Sequence, residues 1–377
     1  MRLVEYECKK IIREYGIPTP RGSVAGSPKE AVKIAKSLGG PVVVKAQIPI
    51  GSRGKLGGIK FAEAPQEAGN KAAELLNTQL ENCKIEKLLI EEKIDSEDEL
   101  YIGITVDSSA KKPVAIASKY GGVDISEVAI KNPERIHKKY IYPIIGLSDL
   151  ESKNLIEQIG LKGRELLQVS SYLKKLWEIM VNYDAELVEL NPLAKTKSGE
   201  LVALDAKIII DDNALFRHPE FKKDILACSS ESESMALQAG LNYVELDGDI
   251  GIVGNGAGLI MATMDIISLY GGKPADFLDL GGGATRDNVS AALRILLINQ
   301  KIKMVFINIL GGITRCDEVA MGIINTLNEC PSRKPLVVRM VGTNEEEGKK
   351  LLEDIGIKTY DSMEEAAQKA VETSRRN

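Results

Sequence analysis

Aromatic residues make up only 5% of this chain of 377 residues, and its lysines and arginines are dispersed under a net charge of −5. A nucleic-acid surface needs basic clusters and stacking rings, so the composition argues against one. Small anionic ligands stay open, because a few amides and lysines suffice for those. The five cysteines (Cys8, Cys83, Cys228, Cys316 and Cys330) are far apart, odd in number and form no CxxC pair. Neither a disulfide framework nor a structural zinc site is expected, and a reducing, cytoplasmic compartment fits. No run approaches the ~20 apolar residues of a membrane span. Met1 leads within a few residues into helical sequence, so no signal or transit peptide is expected. The two histidines, His137 and His218, lie outside every glycine-rich turn and read as structural or surface groups. A phosphoryl relay through histidine therefore lacks an imidazole of its own here.

What remains is ordinary soluble protein, 44% apolar and 27% charged, on a chain longer than one core usually supports. Two or three domains are expected. Four times between Gly251 and Asn344 a short apolar run ends in a glycine-rich turn: at Gly254–Gly258, Gly281–Thr285, Gly311–Arg315 and Gly342–Asn344. At least the first three lead into helical sequence. This rhythm predicts a parallel sheet with helix N-termini along one edge, a place suited to phosphate or carboxylate.

The first two-thirds read differently. Leu3–Glu14 has helical spacing, and Ser27-Pro28 opens a second helix that closes at Gly39-Gly40. The β-branched run Pro41–Ala46 ends in Lys45-Ala46, close before the basic, glycine-rich loop Gly51–Gly58. A helix near Glu63–Asn77, three strand-like runs to Ser118, a long helical stretch over Asp149–Asn182 and two strands around Lys197–Gly199 complete this part. It reads as α+β, the rest as doubly wound α/β, with the boundary at about residue 236.

Lys45 at a strand end before a glycine loop can meet nucleotide phosphates, or can be a lysine reaching for solvent. No GxxxxGK[ST] run is present, so the loop is not of the Walker type. Glu91, Glu92 and Glu99 can accept hydrogen bonds from a base or ribose, or can be solvated strand-end carboxylates. If Lys197–Gly199 is a three-residue loop, Asn191 faces Asp205 and Glu189 faces Lys207 on one side of the hairpin. An amide oxygen opposite a carboxylate suits magnesium, and also describes a plain polar cross-strand pair. The order lysine, glycine loop, acidic strand and hairpin carries more information than any one of them.

Over essentially its whole length the chain resembles the β subunits of succinate–CoA ligase. The resemblance is carried by Leu3–Glu7, Tyr15–Pro20, Arg53–Gly58, Glu189–Leu193, Asn213–Arg217 and Leu241–Gly248, then by Gly254–Asp265, Phe277–Thr285 and Asn308–Asp317. It implies an ATP-grasp domain of two α+β lobes over residues 1–236 and a flavodoxin-like, doubly wound parallel-sheet ligase domain over residues 237–377. By the family's pattern Lys45, Ser52, Arg53, Gly54, Glu91, Ile94 and Glu99 contact ATP/ADP or GTP/GDP. Asn191 and Asp205 hold Mg2+. Asn255, Gly312, Ile313 and Thr314 meet the acid substrate.

The implied partner is an α subunit that carries the phosphohistidine and most of the CoA site. Glu189 stands where that histidine swings in, and the helix after Gly311-Gly312 helps to stabilise its phosphate. Three departures stand out. Ser52 replaces a familiar glycine, Pro49-Ile50 a more polar pair, and Ile313-Thr314 the common Ile-Val. The first two leave ATP or GTP open, and the third leaves a related acid such as malate as an alternative. Heterodimer or heterotetramer also stays open.

Overall fold

The computed structural model describes every residue except 52, 81–82, 222–229, 331–333 and 377. The chain forms two compact units, Met1–Cys228 and Ser229–Asn377. The helix Glu231–Gln238 packs on the strand Asn242–Glu245 and the helix Arg286–Ile298, so it belongs to the second unit. The boundary expected at 236 falls inside that helix.

The first unit contains two larger antiparallel sheets and a two-stranded one, Gln79–Leu80 with Cys83–Lys84. In one, the strands run in the order Gly22–Ala25, Leu88–Glu92, Val42–Ala46 and Ile59–Ala62. Val42, Val43 and Val44 are buried, as β-branched side chains prefer on a covered pleated surface. The helix Pro28–Leu38 starts where the Ser27 hydroxyl accepts from the Glu30 amide, and ends at Gly39 with φ +77°. It lies against the helix Pro65–Leu76, where a Cβ on Gly69 would stand 2.5 Å from Val32.

The second sheet has the order Leu201–Ala203, Ala185–Thr196, Ser96–Asp107, Lys112–Ser118 and His137–Tyr140, with Ala206–Ile210 also pairing to Ala185–Thr196. Leu100, Ile102 and Ile104 share a core with Val169, Leu173 and Leu176 of the helix Gly163–Asn182. Tyr101 and Glu189 then fall on the opposite face, as a period of two requires. The long helical stretch expected over Asp149–Asn182 is in fact two helices, Asp149–Gln158 and Gly163–Asn182. Gly160, at φ +86°, ends the first, because that backbone cannot continue a right-handed helix. The last strand is likewise divided: Leu204 and Asp205 leave the ladder between Leu201–Ala203 and Ala206–Ile210.

The second unit is a sheet in the order Asn242–Glu245, Asp276–Asp279, Ile250–Gly254, Met304–Gly311, Leu336–Gly342 and Thr359–Tyr360. All neighbours are parallel except the first pair. Numbered along the chain, the five parallel strands follow the flavodoxin-like order 2-1-3-4-5. Ile250, Ile252, Met304 and Phe306 bury one face against the helices Ala257–Leu269 and Met363–Arg376. Val305, Ile307 and Ile309 bury the other against Arg286–Ile298 and Cys316–Glu329.

No helix among the described residues is long and apolar enough to cross a membrane. Cys8, Cys316 and Cys330 are free thiols, but Cys83 is disulfide-bonded, where no disulfide was expected. Spacing along a sequence does not report which cysteines the fold brings together.

Candidate active site

Glu5 and Lys9 lie one turn apart on the helix Glu5–Glu14, on the face that also buries Cys8 and Ile12. Two charges on a buried face are costly unless paired, and both are. Glu5 Oε1 accepts from Lys45 Nζ at 2.7 Å, and its Oε2 accepts from Arg53 at 2.9 Å. Lys9 Nζ bonds both oxygens of Glu91 at 2.6 Å and stands 2.7 Å from Glu5. Lys45 Nζ also lies 3.0 Å from Glu91. The Leu204 carbonyl, freed where the strand divides, accepts from Lys9 at 2.8 Å and from Lys45 at 2.7 Å. Arg53 reaches on to Asp205 at 3.3 Å. Three cations and three carboxylates thus neutralise one another in a closed network.

Burial opposes the charge on Lys45, but Glu5, Glu91 and Asp205 outweigh it and raise its pKa. Burial likewise pushes Glu5 upward, yet Lys45, Lys9 and Arg53 together hold it far below the usual carboxylate range. Lys9 goes the other way: burial dominates, and its pKa is lowered. Asp205 is raised by burial and by the nearby Glu5 charge, although 35% of its side chain is exposed.

Along the hairpin, Glu189 faces Lys207 and Leu193 faces Ala203, the register expected from a three-residue loop. The Asn191 amide donates to the Asp205 carbonyl at 3.2 Å, so these two residues sit level. The Asn191 side chain bonds the Gly122 amide through Oδ1 at 2.8 Å and the Val123 carbonyl through Nδ2 at 2.9 Å. Glu189 accepts from the Tyr101 hydroxyl at 2.9 Å and pairs with Lys207 at 3.4 Å. Glu99 accepts from Ser96 at 2.9 Å and lies against Gly122, where an added Cβ would meet its carboxylate at 2.3 Å.

In the second unit the strands Ile250–Gly254 and Met304–Gly311 are neighbours whose crossovers depart in opposite directions. Ligands of open α/β sheets bind at the carboxyl ends of such a pair. The Asn255 side chain spans this point: Nδ2 donates to the Leu310 carbonyl at 2.9 Å and to Thr314 Oγ1 at 3.2 Å, and Oδ1 accepts from the Leu310 amide at 2.9 Å. Thr314, 1% exposed, also accepts from the Gly283 amide at 3.2 Å. Ile313 between them is 84% exposed. Asp279 Oδ1 takes the amides of Gly256 at 2.7 Å and Gly281 at 2.8 Å, so a carboxylate of the chain itself joins the first two turns. The helix Cys316–Glu329 starts without a side-chain cap.

A family model described as an ATP-grasp domain matches residues 2–195, and one described as CoA-ligase matches residues 253–372. The succinate–CoA ligase (ADP-forming) subunit β of Ignicoccus hospitalis is 49% identical over 375 residues, covering all of both chains. The chain belongs to the succinate–CoA ligase β-subunit family. The same subunit of Pyrobaculum arsenaticum is 46% identical over 381 residues, again covering all of both chains. That of Roseiflexus sp. is 45% identical over 379 residues, with the same coverage. An ATP citrate lyase from Methanothrix soehngenii, solved with citrate and coenzyme A, shares the fold: TM-score 0.73 at 20% identity, covering 98% of this chain and 99% of that one. A nucleotide-binding ligase architecture is thereby established, an ATP-grasp domain followed by a CoA-ligase domain.

Of the residues that the succinate–CoA ligase resemblance singles out, Lys45, Arg53, Glu91 and Asp205 form one network, while Glu99 and Asn191 meet around Gly122. Gly54 is exposed in the loop and accepts from the Gly57 amide, and Ile94 is half-buried just past the strand Leu88–Glu92. Ser52 lies outside the described residues. Glu92 pairs at the surface with Arg21 at 2.7 Å. His218 is a packing group, bonded to Asp184 at 2.8 Å and stacked on Tyr183. Sequence reasoning missed Glu5, Lys9, Tyr101 and Asp279. The signal for the first two was present: an i,i+4 ion pair on the apolar side of the opening helix.

Proposed function

We propose that the chain is the nucleotide-handling subunit of a succinate–CoA ligase that works only with an α-type partner. The first unit, Met1–Cys228, binds the nucleotide, and the second, Ser229–Asn377, supplies part of the acid site. Succinyl-CoA, phosphate and ADP give succinate, CoA and ATP, reversibly, with GDP and GTP as the alternative pair. The partner contributes the histidine that carries phosphate and most of the CoA site, and the complex works in the cytoplasm. The observation that carries this reading is the buried network: it holds Lys45 and Arg53, two cations fit for phosphates, beside the Asp205 carboxylate.

Lys45, Ser52, Arg53 and Gly54 serve the phosphates, and Glu91, Ile94 and Glu99 serve the rest of the nucleotide. The hard oxygens of Asn191 and Asp205 fit magnesium, and Asp205 already draws a cation, Arg53, at 3.3 Å. Bound there, the metal would neutralise phosphate charge. Glu189, aimed by the Tyr101 hydroxyl, accepts from an imidazole N–H and orients the incoming histidine. Asn255, Gly312, Ile313 and Thr314 receive the acid, and the helix Cys316–Glu329, which has no side-chain cap, turns its N-terminal dipole to the phosphorylated histidine.

The test is reconstitution. The chain alone should bind Mg–ADP and form no thioester; with an α subunit it should turn over succinate faster than malate, acetate or citrate. Thioester formation by the chain alone would overturn the division of labour, and a preference for malate would overturn the choice of acid.

A further inference from the structure

Among the described residues, Glu5 is the only carboxylate that bonds both Lys45 and Arg53, and it divides its oxygens between them: Oε1 to the lysine at 2.7 Å, Oε2 to the arginine at 2.9 Å. The two cations come from separate elements, the strand Val42–Ala46 and the loop after it. A third element, the opening helix, therefore sets the distance between them. Lys9, one turn along that helix, makes the matching contact to Glu91. Neither Glu5 nor Lys9 needs to touch a ligand. Their side chains are 0% and 1% exposed, beneath Lys45 and Arg53 at 9% each.

We infer that Glu5 and Lys9 are positioning residues for the nucleotide. Glu5 clamps the two phosphate-binding cations at a fixed separation, and Lys9 holds Glu91 at the same level. The inference rests on the nucleotide reading of Lys45 and Arg53. Long cationic side chains otherwise lose much rotamer freedom when a ligand arrives, and a clamp that orders them beforehand removes that cost from binding. Balanced charge lets the clamp exist in the core: three carboxylates against three cations leave no net charge to bury.

A purely structural ion pair and a clamp make different predictions for the pair of changes together. Glu5→Gln alone leaves the network one positive charge in excess and Lys9→Met alone one negative, so each variant should melt lower than the parent. The double variant E5Q/K9M is neutral again and should recover most of the melting temperature. Mg–ADP binding, measured by calorimetry on the complex with the α subunit, should nevertheless stay weaker by about tenfold or more. Glu5→Asp keeps every charge but shortens the clamp by one methylene, and should bind severalfold more weakly without the stability loss. Parent-like Mg–ADP affinity in either E5Q/K9M or E5D would overturn the inference. Lys45→Met is the control for the underlying reading: if it leaves Mg–ADP affinity unchanged, the nucleotide assignment fails, whatever the Glu5 variants do.

Discussion

Glu5 and Lys45 form an ion pair of 2.7 Å between groups 40 residues apart in the chain, with side chains 0% and 9% exposed. Lys9 adds a second pair across 82 residues, to Glu91. These contacts tie the opening helix to the first sheet, and they make the stability of the first unit a function of pH.

The pKa of Glu5 is lowered from its ordinary 4.5, so its stabilising contribution is complete above that value and is lost as pH falls below it. Glu5→Gln should cost about 3–5 kcal/mol near pH 7, as when one partner of a buried pair is removed. Denaturant unfolding at pH 7, 5 and 3 should show the difference from the parent shrinking at the acid end. A difference constant with pH would mean that the carboxylate charge is not what stabilises this region.

Asp205→Asn should leave the backbone pairing to Asn191 intact, because that bond uses the Asp205 carbonyl. It removes the only charged oxygen of the proposed metal pair, so Mg–ADP affinity should fall at least about tenfold. Calorimetry with and without magnesium separates this from an effect on the nucleotide alone. The magnesium dependence should disappear in the variant.

Thr314→Val keeps the side-chain volume and removes the hydroxyl that accepts from both Gly283 and Asn255. The Gly283 amide loses its acceptor, a net loss of about 0.5–1.5 kcal/mol. With the α partner, the KM for succinate should rise, because Asn255 loses one of its three side-chain hydrogen bonds, the one to the third turn. Thr314→Ser should restore both quantities.

Asp276 is fully buried, accepts from the Ile252 amide at 2.9 Å through one oxygen, and has no partner for the other. Burial raises its pKa well above the ordinary 3.8. An acid raised on folding loses stability as pH climbs from its unfolded value to its folded one. Asp276→Asn should match the parent near pH 4 and exceed it at pH 8. Parallel pH profiles would show that the carboxyl is ionised in the fold.

Gly342, at φ +118°, touches the third turn so closely that a Cβ would fall 2.0 Å from the Gly311 carbonyl oxygen. Backbone cannot yield as a flexible side chain can, and alanine also resists this φ. Gly342→Ala should cost more than about 3 kcal/mol, read from the unfolding midpoint.

The period-two geometry of strands made the hairpin register legible: the turn at Lys197–Gly199 was enough to place Glu189 against Lys207 and Asn191 level with Asp205. Glycine turns after apolar runs likewise revealed the parallel sheet, and Ser27-Pro28 marked the start of a helix. Each is a local rule, read from neighbouring residues along the chain. What the turns bind could not be read this way. Four apparently free anion sites include two whose amides, Gly256 and Gly281, are already taken by Asp279. The separation into two helices at Gly160 was written in the chain but masked by apolar spacing on both sides.

By itself, then, the amino-acid sequence determined the family, the two kinds of sheet and the register of the hairpin, because those follow from short-range periodicity and from motifs along the chain. Tertiary structure alone decided that Glu5 and Lys9 lie beneath Lys45 and Arg53, since burial and pairing across 40 to 195 residues are properties of topology. A charged residue on an opening helix reads as solvated until the fold brings its counter-charges to it.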